Sequence, residues 1–136
     1  MVPPPPSLAT GSVVRGVRLP SITICLTCRH DGVPDSPVVG PALLAETRAA
    51  APAGVRVRAV RCLGNCSRGA SAVVCHDGAW AYVFGHLAPG DGADLVEGAC
   101  LLGGSGDGLM PWRGRPEVLK RGLIARLPPA DYEDAP

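Results

Sequence analysis

Two cysteine pairs are the places where this sequence has the means to do chemistry. Cys25 and Cys28 are spaced C-x2-C, and Cys62 and Cys66 are spaced C-x3-C. A thiolate is a soft anionic ligand, so four of them suit zinc or an iron–sulfur cluster. Spacing alone does not separate the two. A C-x2-C pair is also the form of a redox dithiol, although that motif ordinarily leads into a helix and LTCRHDGVPD reads as loop. Either pair alone is a weak signal. Two close pairs, each just past a strand, are a stronger one, because packing preference rarely clusters thiols in this way. Gly64, inside the second pair, permits a sharp turn and brings amide groups near sulfur, which favours an anionic site.

The other candidate ligands read differently. Cys75 lies in the apolar run AVVC and Cys100 in an expected helix, so both are expected to pack as small apolar groups. His30, two residues past Cys28, is a candidate replacement for a thiolate but reads as a solvated loop residue. His76 adjoins an Asp-Gly turn and is expected at the surface, and His86 has no assigned role. Arg29, Arg61 and Arg68 adjoin the proposed ligands. There they would offset the negative charge of a thiolate-bound centre, raise its potential and steer partners.

The elements that must position these groups follow from periodicity. Ile22 and Ile24 alternate with Ser21 and Thr23, as in a strand entering a core. Residues 31–40 are rich in turn formers. Pro41 opens PALLAETRAAA, a helix with proline in its first turn, which Pro52 and Gly54 end. VRVRAVRC alternates as a second strand. SAVVCHDG and AWAYVFG are a third and fourth at hairpin spacing about Asp-Gly, and a last helix starts near Gly92. The order strand, helix, strand, strand, strand, helix describes a short α/β sandwich, and a thioredoxin-like order is one way to satisfy it. If the first two strands are neighbours, both cysteine pairs emerge at one edge of the sheet.

Residues 1–18 read as a flexible proline-rich arm and 19–102 as the cluster-binding domain. Residues 103–136 read as a glycine-rich joint, GGSGDG, followed by a basic tail. That tail carries Arg113, Arg115, Lys120, Arg121 and Arg126 against Glu117, with Trp112 at its head, before an acidic ADYEDAP end. Trp112 is expected either to pack on the domain or to enter a partner's pocket.

The 136 residues carry 18 glycines and 15 prolines, concentrated toward the ends, which suits one domain with tails. The net charge of +1 gives no global field for nucleic acid. No charged leader precedes an apolar run, and no apolar stretch is long enough to span a bilayer, so neither secretion nor a membrane is expected. In the cytoplasm thus expected, six cysteines point to ligands, redox thiols or buried residues more than to disulfides.

The run Cys62-Leu63-Gly64-Asn65-Cys66, followed by Ala72-Val73-Val74, Asp77-Gly78 and Trp80, resembles the thioredoxin-like [2Fe–2S] ferredoxins over residues 20–102. It is also similar to the matching subunit of respiratory and hydrogenase complexes. In those proteins a CLGxC loop supplies two ligands, and the first pair is usually spaced wider than Cys25-x2-Cys28. A closer resemblance covers nearly the whole chain. ICLTCRH, RCLGNCSRG, HDGAWAYVFGHL and PWRGRPEVLKRGLIARLPP are similar to the DUF1636 family of predicted metal-binding proteins, whose members tend to accompany cobalt and corrin genes. The resemblance implies a thioredoxin-like [2Fe–2S] ferredoxin sandwich of about four strands and two helices with extended tails. It also implies a cluster on Cys25, Cys28, Cys62 and Cys66, and a role as redox partner in cobalamin synthesis.

Three functions follow. The first is a one-electron carrier, since four thiolates leave no position open for substrate, and no catalytic triad, phosphate loop or carboxylate pair stands out. The second is a zinc or cobalt binding and delivery module. The third is a thiol–disulfide oxidoreductase using Cys25 and Cys28. An electron-transfer or metal-binding protein is expected rather than an enzyme. Its expected partner is a redox protein with an acidic docking surface, and a second copy of the chain is a further candidate.

Overall fold

The computed structural model describes residues 19–30 and 33–135; the proline-rich arm read at 1–18 and part of the loop at 31–40 lie outside them. Strand β1 (Ser21–Cys25) lies inside the sheet and is buried on both faces, with Ile22 and Ile24 fully enclosed. Helix α1 (Gly40–Ala50) has Pro41 in its first turn and carries the chain back to β2 (Arg56–Val60), which lies parallel to β1. A parallel pair needs such a crossover, because its strands cannot be joined by a hairpin. A short 3₁₀ turn (Cys66–Arg68) leads into β3 (Ala70–Cys75), antiparallel to β1. Gly78, at φ +77°, turns the chain into β4 (Ala81–Leu87), as the Asp-Gly pair predicts. Helix α2 (Gly92–Gly103) follows at the residue expected.

The strands are ordered β2-β1-β3-β4-β5, and the fifth corrects the expectation of about four strands, two helices and an extended C-terminal tail. The segment read as joint and basic tail holds helix α3 (Val118–Arg121) and strand β5 (Leu123–Leu127), antiparallel to β4. Its Met110 and Leu119 are core residues. Leu119 packs where Gly98 leaves room on α2: a Cβ on Gly98 would lie 2.5 Å from the Leu119 methyl. Trp112 does not anchor the segment by burial, being 62% exposed.

Helices α1 and α2 lie side by side over the sheet, where Leu43, Leu95, Ala99 and Leu102 meet Ile22, Ile24, Val74, Tyr82 and Phe84 in one core. Glu46 of α1 ties them further by accepting the Gly90 and Gly92 amides. Among the described residues, no helix is long and apolar enough to cross a membrane.

Candidate metal centre

Because β1 and β2 are parallel and in register from Ser21↔Arg56 to Cys25↔Val60, both run out at the same end of the sheet. Cys25 is the last residue of β1, and Cys62 comes two residues after β2. The Leu26 amide donates to Val60 O at 2.9 Å, so the two exits are tied together at the point where the cysteines begin. Thr27 repeats the tie one step on, its hydroxyl donating to Arg61 O at 2.8 Å.

The first pair is buried: Cys25 and Cys28 are each 1% exposed. The loop that holds them lies on the start of α1. The Val39 amide donates to Cys28 O at 3.0 Å, and a Cβ on Gly40 would come within 2.2 Å of Cys25 O. The second pair is exposed, with its sulfurs 4.0 Å apart. Gly64, at φ +74°, makes the turn between them and donates its amide to Cys62 Sγ at 3.2 Å. Asn65 holds this loop from beneath. It is 8% exposed, its amide donates to Ser71 Oγ at 2.9 Å, and its carbonyl accepts Arg68 at 3.3 Å. Gly85 of β4 leaves room for it; a Cβ there would lie 3.0 Å from the Asn65 amide.

The thiols sense one another within and across the pairs. Burial raises Cys25, but the Cys28 thiol, the Leu63 amide and Thr27 outweigh this and hold it below the usual thiol value. Burial and the adjacent Cys25 push Cys28 up to about 12, against weaker bonds from Ser71. Cys66 is raised, chiefly by Cys62 and to a smaller degree by burial and by Cys25. The four sulfurs form two pairs at one end of the sheet, one buried and one exposed. Among the described residues, no three Cys, His, Asp or Glu side chains gather closely enough to hold a single metal ion.

The remaining candidates lie elsewhere. Cys75 pairs with Ser21, at the opposite end of β1 from Cys25, about 13 Å away at ~3.3 Å per residue. Its sulfur lies 3.2 Å from Ser21 Oγ. Cys100 is exposed on α2. His30 is exposed, and its backbone closes the 30–37 turn. Arg29 donates to Ser36 O and Arg68 to Asn65, while Arg61 is exposed beside Cys62. Sequence reasoning missed the residues that position the two cysteine pairs: Thr27, Gly40, Asn65, Ser71 and Gly85. Their signal is slight, since only the glycine inside a C-x3-C loop points to a function without its neighbours in view.

Comparison with known proteins agrees with this arrangement at the level of fold. A thioredoxin-like [2Fe–2S] ferredoxin from Aquifex aeolicus superposes with a TM-score of 0.53 at 18% identity, over 84% of this chain and 98% of that one. At that identity the likeness shows the fold, which is thioredoxin-like. No curated relative matches the chain. The family model described as "Protein of unknown function (DUF1636)" matches residues 22–129, which takes in both cysteine pairs and β5, and the chain belongs to that family.

Proposed function

We propose that this chain is a one-electron carrier whose [2Fe–2S] cluster is held by Cys25, Cys28, Cys62 and Cys66. The observation that carries the reading is the meeting of two separate cysteine pairs at the shared exit of two parallel strands. The donor set fits the group: four thiolates are the usual protein ligands of such a cluster, and they lie here two and two. When bound, the cluster takes up and releases one electron. The protein's part is to hold the thiolates and to temper their charge. The Gly64 amide on Cys62 and the Leu63 amide on Cys25 draw negative charge from sulfur, which raises the potential. The buried pair fixes the centre to the sheet, and the exposed pair presents it to a partner beside Arg61. An acidic redox protein suits that edge. The suggestion that the electron serves corrin chemistry rests on the family resemblance alone.

The test is composition and colour. Protein purified without oxygen should carry about two irons and two sulfides per chain and be brown. Stoichiometric zinc without sulfide would overturn the reading in favour of a zinc module. One observation favours a second reading, the dithiol oxidoreductase: Cys25 is lowered while its C-x2-C partner is raised, the asymmetry such centres use. Burial of both sulfurs argues against it, because exchange needs an accessible thiolate. Disulfide reduction by the cluster-free protein, lost in Cys25→Ser, would support that alternative.

A further inference from the structure

Away from the cysteines, the C-terminal segment builds a second site. Arg115 is 8% exposed, and a guanidinium taken out of water ordinarily has a carboxylate beside it. Among the described residues none pairs with it. Its Nε and one terminal nitrogen donate to Pro111 O and Met110 O, and the Tyr82 hydroxyl stands beside it, so its donors are held by neutral oxygens rather than by an anion. These donors line a cleft of about 300 Å³ together with Tyr82, Met110, Trp112, Leu123 and Arg126. The floor is built rather than incidental. Tyr82 and Met110 are 1% and 2% exposed, and the Met110 amide donates to the Tyr82 hydroxyl at 2.8 Å. Arg115 stacks at 5.5 Å from the Tyr82 ring and 5.2 Å from that of Trp112. Burial lowers the Arg115 value, Tyr82 beside it works the other way, and the charge of nearby Arg126 lowers it further. Among the described residues, two cations thus line one cleft with no Asp or Glu in its lining, Arg126 also lying over the Trp80 ring at 4.6 Å.

We propose that this cleft binds a small organic carboxylate with an apolar, ring-sized body. The anion would meet Arg115 and Arg126, and the body would lie against Trp112, Met110 and Leu123. The volume is at the lower end of small-molecule sites, which limits the ligand to about one ring and its substituent. The exposed Trp112, held by Lys120 at 4.9 Å on its ring, forms the open wall through which the ligand enters. A bare inorganic anion would satisfy the cations but leave the apolar wall wet, so the site favours the organic acid.

Benzoate is the probe, with benzamide as its neutral counterpart and inorganic phosphate as the bare anion. Titration of the full-length protein, followed by tryptophan fluorescence and calorimetry, should show saturable benzoate binding. Benzamide and phosphate should each bind at least about tenfold more weakly, the scale of one charge-assisted bond. Arg126→Gln, an exposed substitution that leaves the core intact, should weaken benzoate about tenfold, and Arg115→Lys should do the same with the near-ultraviolet dichroism unchanged. Arg113→Gln, outside the cleft, should change nothing. Equal binding of benzoate and benzamide, or of benzoate by wild type and Arg126→Gln, overturns the proposal. So does benzoate binding that appears only when Asp131, Glu133 and Asp134 are neutralised together, for the occupant is then the chain's own acidic end.

Discussion

Gly40→Ala tests whether the start of α1 sets the position of the buried Cys25–Cys28 pair. A Cβ at Gly40 would lie 2.2 Å from Cys25 O, 2.7 Å from Leu26 O and 2.8 Å from Leu26 C. Ordinary contact is about 3.5 Å, so the methyl intrudes by more than ~1 Å. All three atoms are backbone, and no rotamer change can relieve them. Either α1 backs off its neighbours or the Cys25–Cys28 loop moves. Overpacking of this kind costs about 1–3 kcal/mol, and occasionally more. Better helix propensity returns at most about 1 kcal/mol. The net loss should be about 2 kcal/mol, a large share of the ~5–15 kcal/mol of an ordinary domain. For a chain of this size that lowers Tm by about 8 °C. Thermal melts with and without chelator separate the fold's loss from the centre's, and visible absorbance per chain reports loading. Gly54→Ala is the control, since its Cβ would have nothing within 4 Å. A Gly40→Ala protein that melts within 2 °C or so of wild type and loads fully would refute the argument.

Four further outcomes are expected. Serine at Cys62 or Cys66 should remove most of the visible absorbance, because a neutral hydroxyl is a poor substitute for thiolate, whereas Cys100→Ala should leave the spectrum intact; the reverse pattern would show the ligand set to be wrong. Leu119→Ala should cost about 2–5 kcal/mol in urea denaturation, since its side chain is fully buried against Gly98; a loss below ~1 kcal/mol would mean that α3 does not belong to the core. A chain ending at Gly106 should fail to fold cooperatively, losing Met110, Leu119 and β5 together, and a sharp, near-wild-type melt would contradict the fold described. Asp91→Asn should raise the urea midpoint at pH 7. Burial raises the Asp91 carboxyl, so the native state keeps its proton to higher pH than the unfolded chain, and the carboxylate costs stability once pH has risen through that window. The gain should vanish below the ordinary value of 3.8, where both states are protonated.

The first four strands and both long helices were legible because alternation, an early proline and an Asp-Gly turn act locally. Convergence of the cysteines needed one added step, the parallel pairing of β1 and β2, which a helical crossover between two strands makes natural. The residues that hold the cysteine pairs were not legible. Asn65 and Ser71 are ordinary polar residues until the fold brings them to 2.9 Å, and Gly40 looks like a helix-entry glycine until Cys25 O lies beneath it. Strand β5 was hidden for a related reason. Its last three residues are exposed, so LIARL lacks the fully buried face that marks β1. The many arginines before it suggest a solvated tail, whereas Arg115 is folded inward and Arg121 pairs with Glu117 at 3.9 Å.

Gly85 links that misread segment to the Cys62–Cys66 loop. Its amide donates to Gly122 O at 2.8 Å, where α3 passes into β5. On its other side a Cβ would meet the Asn65 amide at 3.0 Å and Arg68 O at 3.1 Å, the residues under Cys62 and Cys66. Gly122 is as closely fitted, for a Cβ there would lie 2.7 Å from Gly85 O. The exposed cysteine pair therefore rests on a residue that the C-terminal segment holds in place. All four proposed ligands precede Gly106, which by sequence makes the remainder dispensable to the centre. The structure argues otherwise: without Gly122 the end of β4 loses its edge partner, and the Asn65 support can shift with it. A substitution that presses on this joint without removing any core residue, such as Gly85→Ala, should loosen the Cys62–Cys66 pair before the buried pair. The order in which the two pairs become reactive to a thiol-alkylating reagent, read residue by residue by mass spectrometry, would show it.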